Sequence, residues 1–125
     1  MRHINREVKH LVLEDEDVIE HELYSQLEPD EIEQIQWSIE QLEKYELNNL
    51  LSNTKYVAKI KGGYENLYYL RVRYRTNIYR IFFTNTANFH VLLYGFRKKT
   101  QKIPQKEINE ALKRKEILFD YIDPE

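Results

Sequence analysis

Residues 67–104 read LYYLRVRYRTNIYRIFFTNTANFHVLLYGFRKKTQKIP, and this stretch decides the fold. Arg71, Arg73 and Arg75 occupy every second position of an aromatic run, Arg80 sits in the next run, and Arg97, Lys98 and Lys99 close a third. A period of two in aromatic and branched residues marks β-strands that bury one face. Three strands are expected, over 67–74, 78–84 and 89–96, with turns at Thr76-Asn77 and over 85–88. Connections this short make the neighbours antiparallel. In the first strand Tyr68, Leu70, Val72 and Tyr74 take the core side, and Leu67, Tyr69, Arg71 and Arg73 the other. Arg80 shares its side with Ile78 and Phe82, so alternation alone leaves open whether it joins Arg71 and Arg73; sheet twist or a bulge decides that.

Upstream, Lys55, Val57, Lys59 and Lys61 alternate with Tyr56, Ala58 and Ile60 until Gly62-Gly63 supplies a turn, which predicts a fourth strand. Ile32, Ile35, Ile39 and Leu42 recur at spacings of three and four and predict a helix through Leu47 or Leu51. Asp30 is its expected N-cap, with Glu33 in the capping-box position. Trp37 lies off that stripe, so it either widens the buried face, the commoner case, or is exposed for a partner. The acidic run 14–17 supplies the first turn of an earlier helix, in which Val18, Ile19, Leu23 and Leu27 share a face. A short strand is expected within 7–13. Pro104 opens a last helix with Ile108, Ala111, Leu112 and Lys115 on one side, and Phe119, Tyr121 and Ile122 dock its end. The expected class is α+β: an N-terminal helical hairpin, a mostly antiparallel four-stranded sheet and a C-terminal helix, in a single domain spanning residues 1–125.

Composition narrows the function classes. The chain has no cysteine, and its four histidines, His3, His10, His21 and His90, lack the close spacing of metal ligands, so neither a metal nor any other cofactor is expected. No apolar run approaches the roughly 20 residues of a membrane span, and the first residues are too polar for a signal peptide. A cytoplasmic location without a membrane partner is expected. The net charge of -2 hides a division: residues 1–54 carry 4 Lys/Arg and 14 Asp/Glu, residues 55–115 carry 15 and 3, and residues 116–125 carry 0 and 4. The middle segment, at +12, suits a polyanion partner; equally, it suits internal neutralisation by acidic helices.

Arginine's planar fork binds phosphate bidentately, and a group of them stabilises the charge on a five-coordinate phosphorus. RNA cleavage then needs a base to draw the proton from a ribose 2′-OH, which attacks the adjacent phosphate, and an acid for the departing 5′ oxygen.

The order of motifs resembles the RelE/HigB toxin superfamily, and within it the HigB-like branch of phage-derived toxins. The K-x-K-G turn appears as Lys59-Ile60-Lys61-Gly62, Y-x-L-R as Tyr68-Tyr69-Leu70-Arg71, and Y-R-I-F as Tyr79-Arg80-Ile81-Phe82. The closing motif appears as Leu92-Leu93, Gly95 to Thr100, Pro104, and Ala111 to Arg114. The resemblance implies a RelE-like fold and a type II toxin that cuts mRNA in the ribosomal A site without metal, neutralised by a helix-turn-helix, HigA-like antitoxin. It implies catalytic places for Arg71, Arg73, Arg80 and Arg97, and contacts to messenger or ribosomal RNA for Lys59, Lys61, Lys98, Lys99 and Lys102. The acidic first third is expected to face away from RNA and toward the antitoxin. Two departures concern proton transfer. No tyrosine falls within 100–103, and Tyr94 stands where many relatives carry histidine, so Tyr94 is either the candidate acid or base or a buried aromatic, with His90 as a fallback. A ParE-like toxin acting on DNA gyrase, or an inactive relic that binds RNA or antitoxin, is the alternative on the same fold.

Overall fold

The computed structural model describes residues 4–53 and 55–122, so His3 lies outside the described residues. The sheet follows the alternation. Strands β4 (Val57–Lys59), β5 (Tyr68–Tyr74), β6 (Asn77–Asn85) and β7 (His90–Arg97) pair antiparallel in sequence order. A fifth strand, β1 (Val8–His10), adds to the far side of β7 and runs parallel to it. The sheet therefore has one strand more than the four expected. Parallel pairing of β1 requires a long return connection, and the intervening helices supply it.

The acidic run 14–17 behaves differently from expectation. Val12–Leu13 (β2) and Glu16–Asp17 (β3) form a small hairpin, with Glu14 and Asp15 at φ 51° and 65° in its turn. Two consecutive positive φ values match the twist that a two-residue hairpin needs. Only Asp17 acts at the helix start: its carboxylate accepts from the N–H groups of Ile19 and Glu20, each at 3.0 Å, capping α1 (Val18–Glu22). A 3-10 turn, Tyr24–Gln26, extends this short helix.

Helix α2 (Pro29–Lys44) starts two residues earlier than the capping box predicted from Asp30 and Glu33. Its N-cap is Glu28, whose N–H donates to Glu31 Oε1 at 3.3 Å, because Pro29 takes the first helical position where its missing N–H costs nothing. A break at Tyr45 separates α2 from α3 (Leu47–Asn53). Ile35, Ile39 and Leu42 of α2 join Ile19, Leu23 and Leu50 in the core, against Leu70, Val72, Tyr79, Ile81, Phe83 and Leu92 of the sheet. Gly95 permits close packing here, since a Cβ would lie 2.7 Å from Leu23 Cδ2. Trp37 is 43% exposed, edge-on to Tyr56 at 5.7 Å, and not part of the core.

The last helix, α4 (Gln105–Ile122), covers part of the opposite face beside β7, burying Ile108 and Ala111. It runs on through Tyr121 and Ile122, which are exposed instead of docked. Among the described residues, no helix is long and apolar enough to cross a membrane.

His90, at the start of β7, is 2% exposed. Its Nδ1 bonds Asn85 Oδ1, while Arg6, tied to the carbonyls of Thr86 at 2.5 Å and Phe89 at 3.1 Å, lies near enough to repel a proton. Burial, then the Arg6 charge, lowers its pKa to about 4. The fold favours neutral histidine, whereas the unfolded chain takes up a proton near the ordinary pKa of about 6.5. Stability is therefore expected to be intact above about pH 6.5 and to fall by on the order of 3 kcal/mol as pH drops toward about 4. Denaturant titrations at several pH values, with His90→Gln as comparison, test this. Equal acid sensitivity in both proteins over that window would count against it.

Candidate anion-binding site on the open face of the sheet

Directly paired residues of an antiparallel ladder project from the same face. Arg71 pairs with Arg80, and Arg80 with Phe96, so register settles what alternation left open: Arg80 belongs with Arg71. Arg73 pairs with Ile78, whose carbonyl accepts from Lys98 N at 2.7 Å, bringing Arg73 and Lys98 into the neighbouring row. On the other side lies the row Tyr69, Phe82, Tyr94. Helices α1 and α2, with seven of the chain's 21 acidic residues, pack on the opposite face through Leu70, Val72, Tyr79 and Ile81.

Arg71 donates its backbone N–H to Tyr56 O at 2.7 Å, toward β4, so across β5 and β6 it forms a non-hydrogen-bonded pair with Arg80. Such pairs have Cα atoms about 4.5 Å apart, with side chains in close approach. Arg71 and Arg73 are exposed, but Arg80 is only 5% exposed. Its Nη2 donates to Gln101 O at 2.8 Å, placing the 98–104 loop beside it, and its Nη1 is buried with no hydrogen-bond partner among the described residues. Burial lowers the Arg80 pKa, nearby Tyr69 raises it, and Arg71 lowers it again. Arginine keeps its charge through such shifts. An unpartnered charged donor beside a second guanidinium is the arrangement that an anionic oxygen relieves.

Internal neutralisation does not account for these side chains. Among the described residues, Arg71, Arg73, Arg80 and Lys98 form no ion pair, whereas Arg114 of α4 binds Glu22 and Glu110 at 2.7 and 2.8 Å. Other expected residues are dispersed. Arg97 pairs with Tyr79 and therefore projects to the helical face, near Glu31. Lys99 and Lys102 are exposed on the loop, and Lys61 is exposed beside the Gly62-Gly63 turn. Lys59 is exposed and lines a groove of about 470 Å³ with Lys55, Tyr69 and Arg71. Arg75 is exposed in the β5–β6 turn at φ 55°.

Tyr94 is on the open face but not free. Its hydroxyl donates to Glu107 at 3.0 Å, its ring lies near Phe82, and the Arg114 guanidinium stacks over it at 4.9 Å. Burial, then the Glu107 carboxylate, pushes its pKa up to about 12. Nothing there activates it for proton transfer. His90 likewise sits in the core. Of the two tyrosines in the row adjoining Arg71 and Arg80, Tyr69 is the one on the same strand as Arg71 and close enough to act on Arg80; alternation had already placed it on that face, but no motif singled it out.

Residues 22–116 match the family described as phage derived protein Gp49-like (DUF891). The chain belongs to the Gp49-like family. That family falls within the RelE/HigB-like toxin superfamily, which agrees with the α+β architecture. No curated protein matches the chain. In this Gp49-like protein the matched span contains the whole of β4–β7 and the arginine cluster.

Pyrophosphate is expected to raise the melting temperature of this Gp49-like protein by on the order of 10 degrees at about 100 times its Kd. Arg80→Gln should abolish most of that increase. An increase of the same size in the variant would show that the anion binds elsewhere.

Proposed function

We propose that this protein is the toxin of a type II toxin–antitoxin pair and cleaves mRNA in the ribosomal A site, by attack of a ribose 2′-OH on the adjacent phosphate. The observation that carries this reading is the buried Arg80, paired in register with Arg71 and holding Nη1 without a partner among the described residues. In the proposed mechanism these two arginines bind the cleaved phosphate and stabilise its five-coordinate charge. Arg73 and Lys98 hold the phosphate next along the strand. Lys59, Lys61, Lys99 and Lys102 contact flanking messenger or ribosomal RNA, and the groove beside Tyr69 receives the neighbouring nucleotide. Arg97, across the sheet, serves as a peripheral cation. Tyr69 is the residue placed to move a proton at the ribose, while Tyr94 positions α4.

Family membership supports the toxin part of this reading, and the arginine cluster supports the cleavage part. The acidic helices lie on the face away from the cluster, which leaves them available to a helix-turn-helix, HigA-like antitoxin while RNA occupies the other side.

Primer extension on mRNA after brief induction tests the proposal. Codon-linked cuts are expected, reduced on the order of 100-fold by Arg80→Ala, as for loss of one charge-stabilising donor. Arg97→Ala should cost less than Arg80→Ala, and Tyr94→Phe less than about threefold, below the usual contribution of an acid–base group. Intact mRNA at growth-arresting expression would overturn the reading; accumulated gyrase–DNA breaks would then favour the ParE-like alternative.

A further inference from the structure

The two edges of the sheet are unequal. On β7, Lys98 N bonds Ile78 O, so the alternation of the ladder directs the backbone groups of Tyr94 and Phe96 toward β6 as well. Those of Gly95 and Arg97 point the other way. There β1 covers only His90 to Leu92, and the ladder ends where Leu11 N donates to Leu92 O at 2.9 Å. Leu93 O is taken by Arg114 Nη1 at 2.9 Å. Beyond that point the edge has no strand partner among the described residues.

This open edge is the floor of a groove of about 770 Å³ between α1 with its 3-10 turn on one side and α4 on the other. Its carboxylates are engaged: Glu22 and Glu110 bind Arg114, and Glu107 accepts from Tyr94. Arg97, Lys99 and Lys106 line the same groove, are exposed, and form no ion pair among the described residues. The groove thus offers the edge-facing N–H and C=O of two alternate residues, in a lining of four cations (Arg97, Lys99, Lys106 and Arg114) against three carboxylates (Glu22, Glu107 and Glu110), which leaves it positive by one charge.

We propose that residues 95–97 are a docking site for an extended acidic polypeptide segment, which adds to the sheet as a strand in line with β1. The backbone groups decide the class of ligand. An RNA phosphate satisfies the cations and accepts from the N–H groups, but it donates nothing to the carbonyls of Gly95 and Arg97. A polypeptide strand satisfies both, and acidic side chains match Arg97, Lys99 and Lys106. The occupied half of the edge, where β1 already pairs, shows that the strand accepts a neighbour on this side.

The probe is a fluorescein-labelled peptide of alternating threonine and glutamate, about eight residues and so roughly 25 Å long when extended. Anisotropy reads its affinity, and residue-resolved amide exchange reads its position. The peptide is expected to bind and to slow exchange at Gly95 and Arg97 about tenfold, the protection a newly made ladder bond gives. Lys106→Glu, an exposed change, should weaken binding about fivefold, consistent with one charge contact of roughly 1 kcal/mol. The same peptide N-methylated on its pairing edge should not bind. Binding weaker than about 1 mM, equal binding of the N-methylated peptide, or equal protection of both amides by an oligouridylate would each overturn the proposal. Its failure leaves the arginine site untouched, because that site lies on another part of β5 and β6 and is read by anion binding and RNA cleavage.

Discussion

Arg71 and Arg80 face each other across a β-ladder, and the rest of the structure must hold that like-charged pair in register. Opposed like charges destabilise a sheet by a few tenths of a kcal/mol to about 1 kcal/mol, and burial of Arg80 adds to the cost. The restraint comes from the other face. Leu70, Val72, Tyr79 and Ile81 are essentially fully buried beneath α1 and α2, and alternation ties their positions to those of the arginines. A slip of one residue would expose the apolar set and bury the charged one. The core thus fixes the arginines as firmly as it fixes itself.

Much of this was legible because a period of two is a strong signal over a long run. The boundaries of β5, β6 and β7 differ from those read from the sequence by about one residue, within the usual uncertainty of strand ends. Arg80 shows where that signal stopped. Alternation gives the side of each residue within its own strand, but the common side of two strands depends on register, which the Arg75-Thr76 turn and the shift between Phe82 and Phe83 set. The short elements near the N-terminus were harder. Glu14 and Asp15 suit a helix start by charge, yet their backbone forms a hairpin turn, and Pro29 moved the α2 cap to Glu28. Each choice rests on one or two residues and is decided by packing that no local pattern contains.

The candidate site divides along the same line. Motif order pointed to Arg71, Arg73, Arg80 and Arg97 together, but a strand end adjoins two faces, and pairing with Tyr79 sends Arg97 to the helical one. Tyr94 had two readings, and its bond to Glu107 together with Arg114 over its ring matches the packed aromatic. Tyr69 carried no motif because a tyrosine on an aromatic strand looks like its neighbours until the residues opposite it are known.

Charge pairing completes the separation of functions. Burial by itself would lower the Arg114 pKa, but its bonds to Glu22 and Glu110 outweigh that and raise it. Arg114 also holds Leu93 O, so one side chain ties α4 to α1 and to β7. A buried ion pair contributes little net stability against an apolar replacement of similar shape, and what it contributes here is geometry. It holds α4 over the Phe82–Tyr94 part of the face, leaving the Arg71–Arg80 part open. On the helical face, Tyr79 donates to Glu31, and that bond lowers the Glu31 pKa, keeping a carboxylate beside Arg97. The negative charge of the N-terminal third is thereby spent on Arg114 and on the helical face. None of it reaches Arg71, Arg73 or Arg80 as an ion pair among the described residues, so the open face retains its positive charge although the whole chain is nearly neutral.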